Sequence, residues 1–399
     1  MRRAGSRSPL AVGALTLLAA ASGVAGCSSP TPDTTAFHGS PPAVHVALDA
    51  TFATPSGVVA VVAMGTLSDP LNTFWQLFFR PDATSRWTLE TPPGVADNGG
   101  LVASPSPVAG GSLLVGIEPS EALRFSPLAL SANDGTSWSA GLVPGGLAAV
   151  PDALAVASDA GSLALVRSAG GEVLHSRGDP TAWSKLVSRA ALASSSAGMS
   201  CGVGELTAVA LDATRGSLVG TTCTAPGVVG IFGSTGGGWR LVGPRLSGRE
   251  ASAPTRVVRL VEANGVADGL VAVGNGSTTS LVAIAGTDGG GWLRSAPLPM
   301  DPEGRIVSTG VEPGGGFVVL ASRPDGSFVL HMETGPGGAW QSLPSPPRGT
   351  AAVALEPGGV VAALGVASTV FTDWQLDAAA GTWSKIGTVT VPIQFGSSS

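Results

Sequence analysis

Apolar residues in this chain come in short runs separated by clusters of Gly, Pro, Asp and Ser. Residues 316–343 show the pattern. Gly316 to Ala321 is apolar, and Arg323-Pro324-Asp325-Gly326 carries residue types that each suit a tight turn. Ser327 to Glu333 reads as a second strand, Thr334 to Gly338 turns the chain again, and Ala339 to Leu343 supplies a third strand. Similar pieces surround Leu113 to Ile117, Ser162 to Arg167 with Glu172 to His175, and Leu270 to Val273 with Leu281 to Ala285. These are meanders of short antiparallel strands. Beyond residue 40 no stretch sustains a capped apolar period of 3.6 residues, so almost no helix is expected.

A longer rhythm overlies the strands. Trp87, Trp138, Trp183, Trp239, Trp292, Trp340 and Trp383 recur at intervals of 51, 45, 56, 53, 48 and 43 residues. The clearest copies follow a Gly-rich turn and lead to a Pro: Gly289-Gly290-Gly291-Trp292 runs on to Leu298-Pro299, Gly337-Gly338-Ala339-Trp340 to Leu343-Pro344, and Trp138 to Pro144. A period near fifty signals a repeat architecture. Small sheets of this size cannot bury both faces alone, but stacked radially and closed into a ring they can. The expected fold class is therefore all-β, a β-propeller over residues 43–395 with seven blades of about fifty residues. Six or eight blades stay open, since Trp75 and Trp374 fall off the beat and the first unit is the least regular. Ring closure is expected from Val44 to Leu48 pairing near Val389 to Phe395, with 396–399 a disordered tail.

The segment Ser131-Ala132-Asn133-Asp134-Gly135-Thr136-Ser137-Trp138 resembles the Asp-box of sialidase-like propellers, with Asn133 where Asp is usual. Thr287 to Trp292 and Ser234 to Trp239 look like degenerate copies that keep the Gly and Trp. In that family the box is a structural hairpin whose Trp packs into the blade, so the resemblance implies a fold and not an activity. A sialidase would need a Tyr nucleophile, and this chain contains no Tyr. The family's arginine motif is only echoed by Phe79-Arg80-Pro81, and Arg80 reads as an ordinary strand-end residue.

At the N-terminus, Arg2, Arg3 and Arg7 precede a short apolar run from Leu10 to Ala21 and then Val24-Ala25-Gly26-Cys27. Positive charge, an apolar stretch and small residues at the cut are the parts of an export signal, and this run is too short to span a bilayer. The segment resembles a bacterial lipobox. The resemblance implies removal of residues 1–26 and acylation of Cys27, with several acyl chains giving stable membrane attachment. Residues 28–42, rich in Pro, Ser and Thr, read as a tether that does not pack. The expected location is outside the cytoplasm, lipid-anchored at the bacterial envelope surface.

Without residues 1–26 the chain holds 18 basic and 27 acidic residues, a net charge of −9. Its only lysines, Lys185 and Lys385, lie far apart, so a nucleic-acid partner is not expected. With Cys27 assigned to lipid, Cys201 and Cys223 have only each other, and outside the cytoplasm they are expected to form a disulfide.

Signals for catalysis are weak. Gly198-Met199-Ser200-Cys201-Gly202 matches Gly-x-Ser-x-Gly, but no amphipathic helix follows to build a nucleophile elbow, and His331 is the only downstream base. His38, His45, His175 and His331 are too dispersed for a metal site, and no Cys pair has zinc-ligand spacing. No catalytic residue, metal or cofactor is assigned. The expected function is a monomeric, non-catalytic binding module with a protein or glycan partner. The alternatives are a polysaccharide hydrolase using channel carboxylates and an envelope-assembly scaffold.

Overall fold

The computed structural model describes residues 45–65, 73–92, 100–105, 111–118, 125–144, 151–157, 161–167, 170–234, 238–274 and 279–391. Cys27, the tether and the 396–399 tail lie outside them. The described strands form antiparallel meanders spanning 45–89, 100–144, 153–188, 203–241, 255–294, 305–343 and 350–390. Five of these are separate four-stranded sheets. The fourth and fifth share one nine-stranded sheet, because Cys223 and Thr222 pair with Thr255 and Arg256, and Leu298–Pro299 adds a short edge.

Side-chain packing arranges the meanders in a cycle. Buried apolar clusters fill the seams between consecutive meanders, and one more cluster joins the last meander to the first: Val58, Ala60, Val62 and Phe78 meet Ala354, Leu364 and Phe371. Each spaced tryptophan packs on a different cluster, Trp87 on the closing seam and Trp138, Trp183, Trp239, Trp292, Trp340 and Trp383 on the six that follow. A sheet with two apolar faces is stable only if both are covered, and the cycle covers both faces of every sheet. The chain is a β-propeller.

Of the segments expected to close the ring, Val44 and residues 392–395 lie outside the described residues, and among the described residues the two ends do not pair with each other. His45 to Leu48 pair with Val62 to Gly65, and Val389 pairs with Phe371. The first and last meanders are joined by face packing, by Thr51 Oγ1 donating to the Val353 carbonyl at 2.7 Å, and by buried charge described below.

Register shifts interrupt five of the innermost strands, His45–Thr54, Val203–Asp212, Thr255–Ala263, Arg305–Val311 and Thr350–Glu356. A bulge leaves one residue unpaired and sharpens the local twist. Here it puts extra residues such as Thr207 and Val258 on the wall of the central cavity.

In keeping with the expectation of almost no helix, the described residues carry two short α-helices, α1 (Arg189–Ser194) and α2 (Ser196–Cys201), lying between the third and fourth meanders. Ser188 and Ser195 cap them by accepting the Ala191 and Gly198 amides, and Gly202 ends α2 at φ 65°. At six residues each they are too short to show a helical period. Cys201, at the end of α2, is disulfide-bonded to Cys223 with Cα atoms 5.1 Å apart. The bond fastens the helical insert onto the core between the third and fourth meanders. Closing this loop restricts the unfolded chain, so replacing both cysteines by serine is expected to cost about 3 kcal/mol in denaturant titration. Non-reduced protein should show no free thiol at either position.

Candidate functional site

Six inner strands converge on a central cavity of about 260 Å³, lined by Phe52, Leu154, Val209, Leu260 and Val311 among mostly apolar groups. Among the polar side chains that break this wall are Thr207 and Arg259. Thr207, the bulge residue of Val203–Asp212, buries a hydroxyl that has no hydrogen-bond partner. Arg259 follows the bulge of Thr255–Ala263. Its Nη1 donates to the Thr309 carbonyl and to Thr309 Oγ1 at 3.0 Å, tying the fifth inner strand to the sixth. Burial pushes the Arg259 guanidinium down to about 10.

Three carboxylates also line the cavity: Asp152, Glu262 and Glu312. Asp152 is bound to the Arg167 side chain at 2.6 Å and to its amide at 2.5 Å. Glu312 Oε1 accepts the Gly358 amide at 2.8 Å. Glu262 lies next to the hairpin that follows Thr255–Ala263, where it pairs with Ala267.

Three acids raised well above the ordinary carboxylate range lie outside this cavity. Burial raises Asp268 and Glu333 each to about 7 and Asp373 to about 6. They are 2%, 4% and 0% exposed, sealed in seams rather than open to the cavity. Asp373 and Glu356 hold Arg80, at 2.8 and 2.7 Å, inside the seam that closes the ring. Trp87 Nε1 donates to Asp373 at 3.1 Å, and the Arg80 guanidinium lies 5.4 Å from the Trp87 ring centre. Arg80 is 1% exposed, so it is no ordinary strand-end residue but the charge that neutralises the closure.

A positional signal for Arg80 was present in the sequence. It stands seven residues before Trp87, as Ser131 stands before Trp138, Ser176 before Trp183 and Glu333 before Trp340. The same place holds Phe232, Ala285 and Leu376 before the other three tryptophans, and all seven residues are buried. Where the residue is polar it must find a partner. Ser131 accepts the Gly135 amide at 2.8 Å, and Glu333 accepts the Gly337 amide at 2.7 Å, in both cases four residues on. The equivalence makes Arg80 and Glu333 legible as interior charges.

The Gly-x-Ser-x-Gly segment is not an elbow. Ser200 is on α2, its hydroxyl donates to the Ala197 carbonyl at 2.7 Å, and Gly198 is required because a Cβ there would lie 1.9 Å from the Leu192 carbonyl oxygen. His331 is on a strand of the sixth meander and meets Ser342 Oγ at 3.2 Å. Among the described residues no three His, Cys, Asp or Glu side chains are placed to hold a metal, and no helix is long and apolar enough to cross a membrane.

No protein-family model and no curated protein matches this chain. Solved structures do. It is similar to a Lactobacillus plantarum protein at 12% identity, covering 88% of this chain and 97% of that one with a TM-score of 0.52. A 6-phosphogluconolactonase-like protein of Bacteroides uniformis gives the same identity and coverage with a TM-score of 0.50. A puromycin-hydrolyzing peptidase of Mycobacterium tuberculosis is 13% identical, covering 85% of this chain and 52% of that one, with a TM-score of 0.51. At these identities the likeness is one of fold.

Proposed function

We propose that the chain is an exported lipoprotein, acylated at Cys27, whose seven-bladed propeller binds a protein or glycan partner of the envelope without catalysing a reaction. The anchor rests on Val24-Ala25-Gly26-Cys27 behind a short apolar run, with 28–42 as the tether. A Cys27→Ser variant is expected to move most of the protein from the membrane fraction to the soluble one; unchanged fractionation would remove the anchor.

The observation that carries the non-catalytic reading is the placement of the carboxyl groups. A general acid working near neutral pH needs a raised pKa and access to substrate. Asp268, Glu333 and Asp373 have the first and lack the second. The rival reading, hydrolysis by channel carboxylates, draws on Asp152, Glu262 and Glu312 sharing one cavity. Asp152 and Glu312 are committed there to Arg167 and to the Gly358 amide. Incubated with envelope polysaccharide and envelope extract, the lipidated protein should retain a partner and release no new reducing ends. Release of reducing ends would overturn the reading.

A further inference from the structure

Arg259 uses only part of its donor set. Both bonds run from Nη1 to Thr309. Among the described residues no carboxylate lies within ion-pair reach of it, and Nε and Nη2 make no hydrogen bond. The other arginines sunk in this fold are neutralised: Arg80 by Glu356 and Asp373, Arg215 by Asp212 at 2.6 Å. A strut between two strands accounts for Nη1 and leaves a flat edge with Nε–H and Nη2–H unused. That edge is the half of a guanidinium that grips a carboxylate with two parallel bonds.

The second observation is Thr207. Thr207 lines the same cavity from the neighbouring inner strand, and its hydroxyl is buried with no hydrogen-bond partner. An isolated buried hydroxyl costs free energy unless something bonds to it. Between and around the two, Ala208, Val209, Leu260 and Val311 offer apolar wall. We infer that the central cavity is a binding site for a small organic monocarboxylate, its carboxylate held by Arg259 and Thr207 and its carbon body packed on that wall. This rests on the binding-module reading and names the chemistry of one of its sites.

The charge of the surroundings selects a monoanion. Glu262, three residues beyond Arg259, lies about 10 Å further along the strand at 3.3 Å per residue, and Glu312 follows the end of Arg305–Val311 at the same mouth. One cation faced by acids at the entrance matches a single negative charge and disfavours a phosphate dianion.

Butyrate and its neutral isostere butyramide test the inference on the full-length lipidated protein in non-ionic detergent, by titration calorimetry. Butyrate should bind with a Kd on the order of 1 mM, at least about tenfold tighter than butyramide. Arg259→Gln should weaken butyrate about tenfold and leave butyramide unchanged. Thr207→Val, which removes the hydroxyl and keeps the volume, should weaken butyrate several-fold with no loss of melting temperature in buffer. Absent butyrate binding, equal binding of acid and amide, or two variants that both bind butyrate like the wild type would overturn it. If Arg259→Gln does not fold, Thr207→Val decides by the same criterion. Partner retention by the wild type that Arg259→Gln leaves intact, alongside absent butyrate binding, would sink this inference alone. Released reducing ends would sink the binding-module reading instead.

Discussion

Replacing Arg80 with methionine is expected to cost about 3–5 kcal/mol of folding stability, because it leaves buried carboxylates without their cation. Glu356 and Asp373 are 8% and 0% exposed, and both reach Arg80 within 2.8 Å. Burial already lifts Asp373 to about 6 against the pull of Arg80, so without the guanidinium it would protonate or drive the seam open. The aromatic packing would follow, since Phe371 meets Phe78 and Trp87 edge-on at 5.5 and 5.1 Å. Denaturant titration followed by tryptophan fluorescence measures the loss. Adding Asp373→Asn and Glu356→Gln to Arg80→Met should recover a large part of it, since replacing a whole buried ion cluster costs far less than breaking one. A single variant as stable as the wild type would show that apolar packing alone closes the ring.

The seam between the fifth and sixth meanders carries the opposite arrangement, acids that form no ion pair with a cation among the described residues. Asp268 accepts the Gly316 and Gly286 amides, and Glu333 those of Gly337, Phe317 and Gly338. Burial raises both acids to about 7, and the Asp268 charge adds to the rise at Glu333. In the unfolded chain these groups ionise near pH 4. Between pH 4 and 7 the native state therefore binds more protons, and stability falls as pH rises. The contribution is complete below pH 4 and is lost as pH climbs through 7. Asp268→Asn removes that loss. The variant is expected to gain on the order of 2–4 kcal/mol relative to wild type at pH 8 and little or nothing at pH 4. Denaturant titrations at the two pH values check it, and an equal difference at both would exclude titration of this pair as the cause.

Asp212 behaves in the other direction. Burial pushes its carboxyl up, but bonds from Thr214 and the amides of Arg215, Ala267 and Thr214 outweigh that and hold it below the usual range. Its contribution is kept above the ordinary carboxylate pKa and lost in acid. Two seams of one ring thus respond oppositely to pH, because hydrogen bonds from Thr214 and three backbone amides outweigh burial at Asp212, whereas burial wins at Asp268 and Glu333.

Much of this architecture was legible from residue types along the chain. Strand, turn and strand alternate with turn chemistry that closes hairpins locally, and the tryptophan beat marks the repeat because each indole fills one seam. The pairing of Cys201 with Cys223 followed from having no other partner. Less legible were α1 and α2, which are shorter than the period that would betray them.

Tertiary structure alone decided what each buried charge faces. Arg80 meets Glu356 across 276 residues, and Arg259 meets Thr309 across 50. Hairpin hydrogen bonds join neighbours in sequence, so local pattern encodes them. The seams and the cavity wall are made by side chains of different repeats, and which arginine is neutralised and which is left open depends on what the closed ring places opposite it.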